Sequence, residues 1–219
     1  PQIEREQLTI STPSADNISV TELSFLQQTK LLSASLDGYE NALKYINLLN
    51  KIILDNCQQS VLVCDRIPIL LALRIQAVGS TYTAEDNEQI DLTPYCSNFC
   101  KIDNSPVVIE HKNIKLTLQI PTIEREYEHI EKCLQFTELA VENVVYNEFL
   151  KFITEVNISG LIFDLTKHKL ADCYKLLDAL PAPVYTKIVK YISNVTYLEQ
   201  KMLVYGDVEI EMPPSFFSA

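Results

Sequence analysis

Apolar positions along the chain change period several times, and each change marks an expected element. Leu8 and Ile10 alternate with polar neighbours, Thr12-Pro13-Ser14-Ala15-Asp16-Asn17 interrupts them, and Ile18 and Val20 resume the alternation. This predicts a β-hairpin with a longer loop. From Leu23 the period becomes helical. Leu32 and Leu36 precede Asp37-Gly38, and Ala42, Leu43, Ile46, Leu49 and Ile53 carry a second helix to about Cys57. Pro68 fits the first turn of a third helix, where a missing N–H costs nothing. That helix runs through Ile69-Leu70-Leu71-Ala72 into Leu73-Arg74-Ile75-Gln76-Ala77-Val78-Gly79. Gly79 is expected to close it through a left-handed residue, which glycine accepts without penalty.

The segment 82–104 reads as irregular and polar, and Glu85, Asp86, Asn87 and Glu88 are the expected place of proteolytic nicking. Val107 and Ile109, then Ile114, Leu116, Leu118 and Ile120, alternate around Lys112-Asn113 and predict a second strand pair. Ile123, Tyr127, Ile130 and Leu134 return to helical spacing, and Asn147 to Val156 also reads as helical. Thr166 is the expected cap of a helix with Leu170, Tyr174 and Leu177 on one face, and Pro181-Ala182-Pro183 punctuates it. Val184, Ile188, Tyr191, Ile192 and Val195 give the last helix its apolar face. Met202 and Val204, Gly206-Asp207, then Val208, Ile210 and Met212 form the pattern of a hairpin with a type II′ turn. The expected fold class is α+β, with β-hairpins interleaved among helices in one compact unit over residues 1–219. No Gly/Ser/Pro-rich linker divides the chain.

Composition narrows the function. The 219 residues are 47% hydrophobic and 21% charged, which describes a folded chain with a substantial core. A net charge of −11 disfavours a broad phosphate-binding surface, so proteins are expected as partners and nucleic acid is not. No apolar run approaches the ~20 residues of a membrane span. No basic-then-apolar leader is visible, so cytoplasmic synthesis is the expectation. The six cysteines then read as free thiols and not as a disulfide framework.

Catalytic patterns are sparse. The chain has four glycines and offers no phosphate-cradling loop, no Gly-x-Ser-x-Gly and no His-Glu-x-x-His. His111, His129 and His168 are isolated in sequence, and His129 is expected to be a solvated side chain. Glu124, Glu126, Glu128 and Glu131 could gather a cation, but a solvated helix face is the simpler account. Arg74, set in an apolar face, is expected to be structural and to bind a carboxylate or backbone carbonyls within the fold. Phe216 and Phe217 follow a double proline and either dock back on the fold or anchor a partner. Partner binding is the expectation carried forward, with truncation after Met212 leaving the melting temperature nearly unchanged.

Cys57, Asp65-Arg66-Ile67-Pro68 and the Leu-Arg-x-x-x-Val-Gly ending at Gly79 together resemble the baseplate protein family of T-even-type contractile-tail bacteriophages. Asp164-Leu165-Thr166, Leu177-Asp178-Ala179-Leu180, the stretch from Ile188 to Ile192, Tyr205-Gly206-Asp207 and Phe216-Phe217 extend the resemblance collinearly over nearly the whole chain. The resemblance implies a non-enzymatic baseplate hub subunit or hub assembly protein whose partners are other hub or tail proteins. It also implies residence in the host cytoplasm during assembly and, for a component that stays, in the virion tail baseplate.

Many members of that family carry two cysteine pairs at zinc-ribbon-like spacing. This chain has Cys96 and Cys100 in the first region and none around Gly206. Structural zinc needs four ligands, and His111 is the one conceivable addition nearby. No metal or other cofactor is therefore expected. The alternative function is a metal- or nucleic-acid-binding adaptor built on a degraded zinc ribbon. A weaker third reading is an enzyme using the acidic helix.

Overall fold

The structure, a computed structural model, describes residues 4–84 and 88–218. Its N-terminal hairpin pairs β1 (Gln7–Ile10) with β2 (Ile18–Thr21) and turns Ile18 and Val20 into the core. Helix α1 (Phe25–Leu32) begins at a capping box formed by Ser24 and Gln27, and α2 (Gly38–Asn56) follows. Helix α3 (Arg66–Val78) is buried from Pro68 through Arg74.

The segment expected to be irregular holds regular elements. It contains a short hairpin, β3 (Thr81–Thr83) and β4 (Gln89–Asp91), and a 3-10 turn over Thr93–Ser97. Ile90, Leu92 and Tyr95 are the apolar residues that draw it inward. The expected nick site at Glu85, Asp86 and Asn87 lies outside the described residues.

The main sheet is an antiparallel meander in the order β5-β6-β7-β8. Strands β5 (Val107–His111) and β6 (Ile114–Leu118) match the alternation of the sequence. Helices α4 (Ile123–Gln135), α5 (Thr137–Glu142) and α6 (Val144–Phe152) come next. The chain then passes directly from α6 into β7 (Ile153–Ile158), so the helix expected from Asn147 to Val156 ends at Phe152. Ile153, Thr154 and Val156 are β-branched and suit a pleated surface better than a helix. Pairing with β6 decides the matter, with Leu116 opposite Val156 and Leu118 opposite Ile153. Ser159 (φ 54°) and Gly160 (φ 87°) make a two-residue turn into β8 (Leu161–Phe163), a strand that the periodicity did not announce. Positive φ at both turn residues is the type I′ pattern.

Asp164, not Thr166, caps the next short turn, and its carboxylate accepts from the Thr166 N–H. Helix α7 (Leu170–Asp178) and the long α8 (Ala182–Met202) follow, the latter burying Val184, Ile188 and Val195. Strands β9 (Val204–Tyr205) and β10 (Val208–Glu209) close around Gly206 as the type II′ reading requires, with positive φ at the glycine and not at Asp207.

One hydrophobic core includes Ile18 of β2, Leu71 of α3, Leu116 of β6, Ile188 of α8 and Phe217. The last of these overturns an expectation. Phe216 and Phe217 are both 0% exposed and so are unavailable to a partner. Pro213 and Pro214 open a 3-10 turn over Pro214–Phe217 that folds both rings inward beneath α1. The rings meet edge-on at 5.4 Å, Phe216 also packs on Tyr82, and Gln28 donates to the Phe217 carbonyl.

Each buried phenylalanine is worth about 3–5 kcal/mol when cut to alanine. Truncation after Met212 is therefore expected to lower the melting temperature by about 10–20 °C or more. Calorimetry of the truncated chain checks this.

Candidate functional site

Arg74 is the largest fully buried side chain, 2% exposed in the middle of α3. Its guanidinium reaches three backbone carbonyls from three segments. Nε donates to Phe216 at 2.5 Å, Nη1 to Gly79 at 2.5 Å and Nη2 to Thr81 at 3.0 Å. It also lies 5.8 Å from the centre of the Phe216 ring. Burial lowers its proton affinity, yet a guanidinium remains charged in any protein. Gly79 closes α3 by donating to the Ile75 carbonyl, at φ 92° and ψ 173°. This is the extended positive-φ region reserved for glycine, not the left-handed helical region expected from sequence. The conformation presents the Gly79 carbonyl to Arg74.

A second polar cluster lies on the inner face of α4. Glu126 points inward from α4 and is buried, which corrects the expectation of a wholly solvated acidic face. It forms ion pairs with Arg66 of α3 and with Lys151 of α6, the latter at 3.1 Å, and accepts from Asn50 of α2 at 2.8 Å. Burial alone would raise its pKa, but Arg66 and Lys151 outweigh that and hold it at about 2. Glu131 also faces inward and accepts from Asn47, so half of the acidic row ties α4 to α2. Glu199 of α8 stands in the field of the same cluster, and its burial pushes its pKa up to about 7. Arg66 stood inside the quoted Asp65-Arg66-Ile67-Pro68 motif. The signal for Glu126 lay in its spacing, three residues after Ile123 and four before Ile130, which puts it on the apolar face of α4.

Beside this cluster, Cys133 and His129 sit one turn apart on α4 with Sγ 3.5 Å from Nε2. The thiol also donates to Asn147, which in turn receives the Tyr174 hydroxyl. Burial raises the Cys133 pKa to about 11 and lowers that of His129 to about 4. The pair is neutral at pH 7, the opposite of the thiolate–imidazolium state of a nucleophilic cysteine. His129 is thus a packed residue and not the solvated one expected.

His111 ends β5, and His168 stacks near Phe163 with ring centres 6.3 Å apart. Cys96 lies on the 3-10 turn with its thiol directed to the Leu92 carbonyl, and Cys100 is exposed. Among the described residues, no three His, Cys, Asp or Glu side chains converge as a metal set. No helix among them is long and apolar enough to cross a membrane.

Comparison of the chain with protein-family models, curated proteins and solved structures finds no match. Phe25 and Leu26 stand out from the start of α1, Phe25 at 87% exposure. Leu161 and Ile162 are exposed on the edge strand β8. A third patch joins Val141, Val144 and Val145 around the α5–α6 break to Tyr185 of α8. Exposed apolar groups gathered in patches mark contact surfaces more often than isolated ones do.

Arg74→Ala would strand the Phe216 carbonyl in the core, leave a cavity in α3 and untie Gly79 and Thr81, and is expected to cost about 3 kcal/mol or more. Arg74→Lys should recover little of this, because a point charge cannot reach all three carbonyls. Equilibrium urea unfolding of both variants is the check.

The carboxylates make opposite contributions to pH dependence. Glu126, lowered from an unfolded value of 4.5 to about 2, stabilises the fold above 4.5 and loses that effect as pH falls towards 2. Glu199, raised from 4.5 to about 7, favours the fold below 4.5 and loses that advantage as pH rises through 7. Glu199→Gln should flatten the decline in stability between pH 4.5 and 7. Glu126→Gln should cost about 3–5 kcal/mol at neutral pH, because two buried cations lose their counter-charge. Denaturant midpoints measured across this pH range test both.

Proposed function

We propose that this protein is a non-enzymatic subunit or assembly factor of a contractile-tail phage baseplate hub, acting by protein–protein recognition. The observation that carries the reading is the spatial meeting of two of the motifs on which the family resemblance rests. Leu73-Arg74 and Gly79 from the first third of the chain join Phe216 through Arg74, across 142 residues. Asp65, from the neighbouring motif, is fully buried and accepts from the backbone N–H and hydroxyl of Ser14 and from the Leu62 N–H. Asp65, Arg74, Gly79 and Phe216 are therefore motif residues that tie elements of this fold together, which is what a shared scaffold demands of them.

Surface chemistry supports recognition as the mode of action. Large apolar side chains lie exposed on α1, on the β8 edge and around the α5–α6 break, in a chain of net charge −11. The thiol and imidazole closest to a catalytic arrangement are held neutral by burial.

The test is genetic and compositional. Removing the chain from a phage that encodes it should leave baseplate hubs unassembled, and supplying it in trans should restore them. Mass spectrometry of purified virions then separates the two forms of the reading, since a subunit is retained and an assembly factor is absent. Complete, infectious hubs formed without the chain would overturn the proposal.

A further inference from the structure

Helices α5 and α6 meet at Asn143, whose backbone (φ −125°, ψ 38°) breaks the helix while its side chain donates back to the Leu139 carbonyl. The break leaves Val141, Val144 and Val145 facing solvent at spacings of three and one. Opposite them stands Tyr185 of α8, held in place by its ring contact with Phe149 at 5.2 Å. These walls enclose an open groove of about 470 Å³. Val189, also exposed, lies one turn beyond Tyr185 and on the same side of α8.

The charges of the groove have one sign. Among the described residues Glu142 and Asp178 line it, and no lysine or arginine does. Asp178 is anchored by the Tyr146 hydroxyl. Lys187 sits about 200° around α8 from Tyr185, away from the groove. A second copy of this chain, at net charge −11, would bring more negative charge to that rim.

We infer that this groove receives a basic amphipathic helix of a different protein. Apolar side chains at i, i+3, i+4 and i+7 of the incoming helix fill the trough between the valines and Tyr185, and its lysines or arginines meet Glu142 and Asp178. The inference rests on the reading of the chain as a recognition protein and names the kind of partner it recognises.

The probe is a fluorescein-labelled 18-residue helical peptide with leucines on one face and lysines on its flanks. A matched peptide with glutamate in place of lysine serves as its control. Anisotropy titrations with the full chain should show the lysine peptide binding at least tenfold more tightly. Val145→Asp is the deciding variant. It adds negative charge, so diffuse electrostatic attraction would strengthen binding, whereas docking in the groove predicts at least a tenfold loss. Tyr185→Ser, on the opposite wall, should give a loss in the same direction and guards against a local defect in α6. Glu142→Lys combined with Asp178→Lys should reverse the preference between the two peptides.

Unchanged or tighter binding by both Val145→Asp and Tyr185→Ser overturns the inference. So does sedimentation showing a dimer of the parent chain that Val145→Asp dissolves, because the occupant is then a second copy. Failure of the groove with hub assembly still dependent on the chain leaves the assembly reading standing. A groove that binds as expected in a chain dispensable for hubs overturns only that reading.

Discussion

One side chain sets the terms for the rest of this structure. A guanidinium cannot shed its charge, so burying Arg74 requires fixed acceptors. The fold supplies carbonyls of Gly79, Thr81 and Phe216, from the end of α3, the start of β3 and the C-terminal turn. Each of those segments is thereby constrained. Gly79 takes a backbone conformation that other residues reach only with strain, β3 begins two residues later, and the C-terminal turn is drawn in until both of its rings are buried. A carboxylate partner would have neutralised the charge but linked only one segment. Three carbonyls link three.

Glu126 plays a related part among the helices. It connects α2, α3, α4 and α6 through Asn50, Arg66 and Lys151. A buried ion cluster adds little net stability over well-packed apolar groups of the same size, but removing one member is costly. A packing of the helices that separated these groups would strand a charge. The neutral Cys133–His129–Asn147 chain lies alongside it as part of the same polar interior.

Much of the architecture was legible in the sequence because it follows from period and punctuation. The first hairpin, α2, β5–β6, α4 and the β9–β10 turn each satisfy a local rule, and the structure places them where that rule points. The errors arise where a long-range partner decides. Ile153–Ile158 carries enough apolar residues to continue α6, and only pairing with β6 makes it a strand. Ser159-Gly160 was the local sign of that hairpin, a dipeptide suited to two positive φ angles. Glu126 shares the apolar face of α4 with Ile123 and Ile130, but its partners Arg66 and Lys151 come from distant segments. Phe216 and Phe217 admitted two destinations, and Arg74 determines which one is taken. The same long-range choices hid the valine groove, whose second wall comes from α8.

The bond between Arg74 and Phe216 spans 142 residues, and this separation governs when the fold can close. At translation rates of about 5–20 residues per second, Arg74 leaves the ribosome's active centre some 7–30 s before its last acceptor is made. Throughout that interval the nearby carbonyls of Gly79 and Thr81 are within reach of Arg74, and the Phe216 carbonyl is not. The Nε–H of Arg74 keeps water as its partner until the C-terminal turn arrives. Closure is then a late event, and the turn works as a latch on a chain that has already been synthesised through α8.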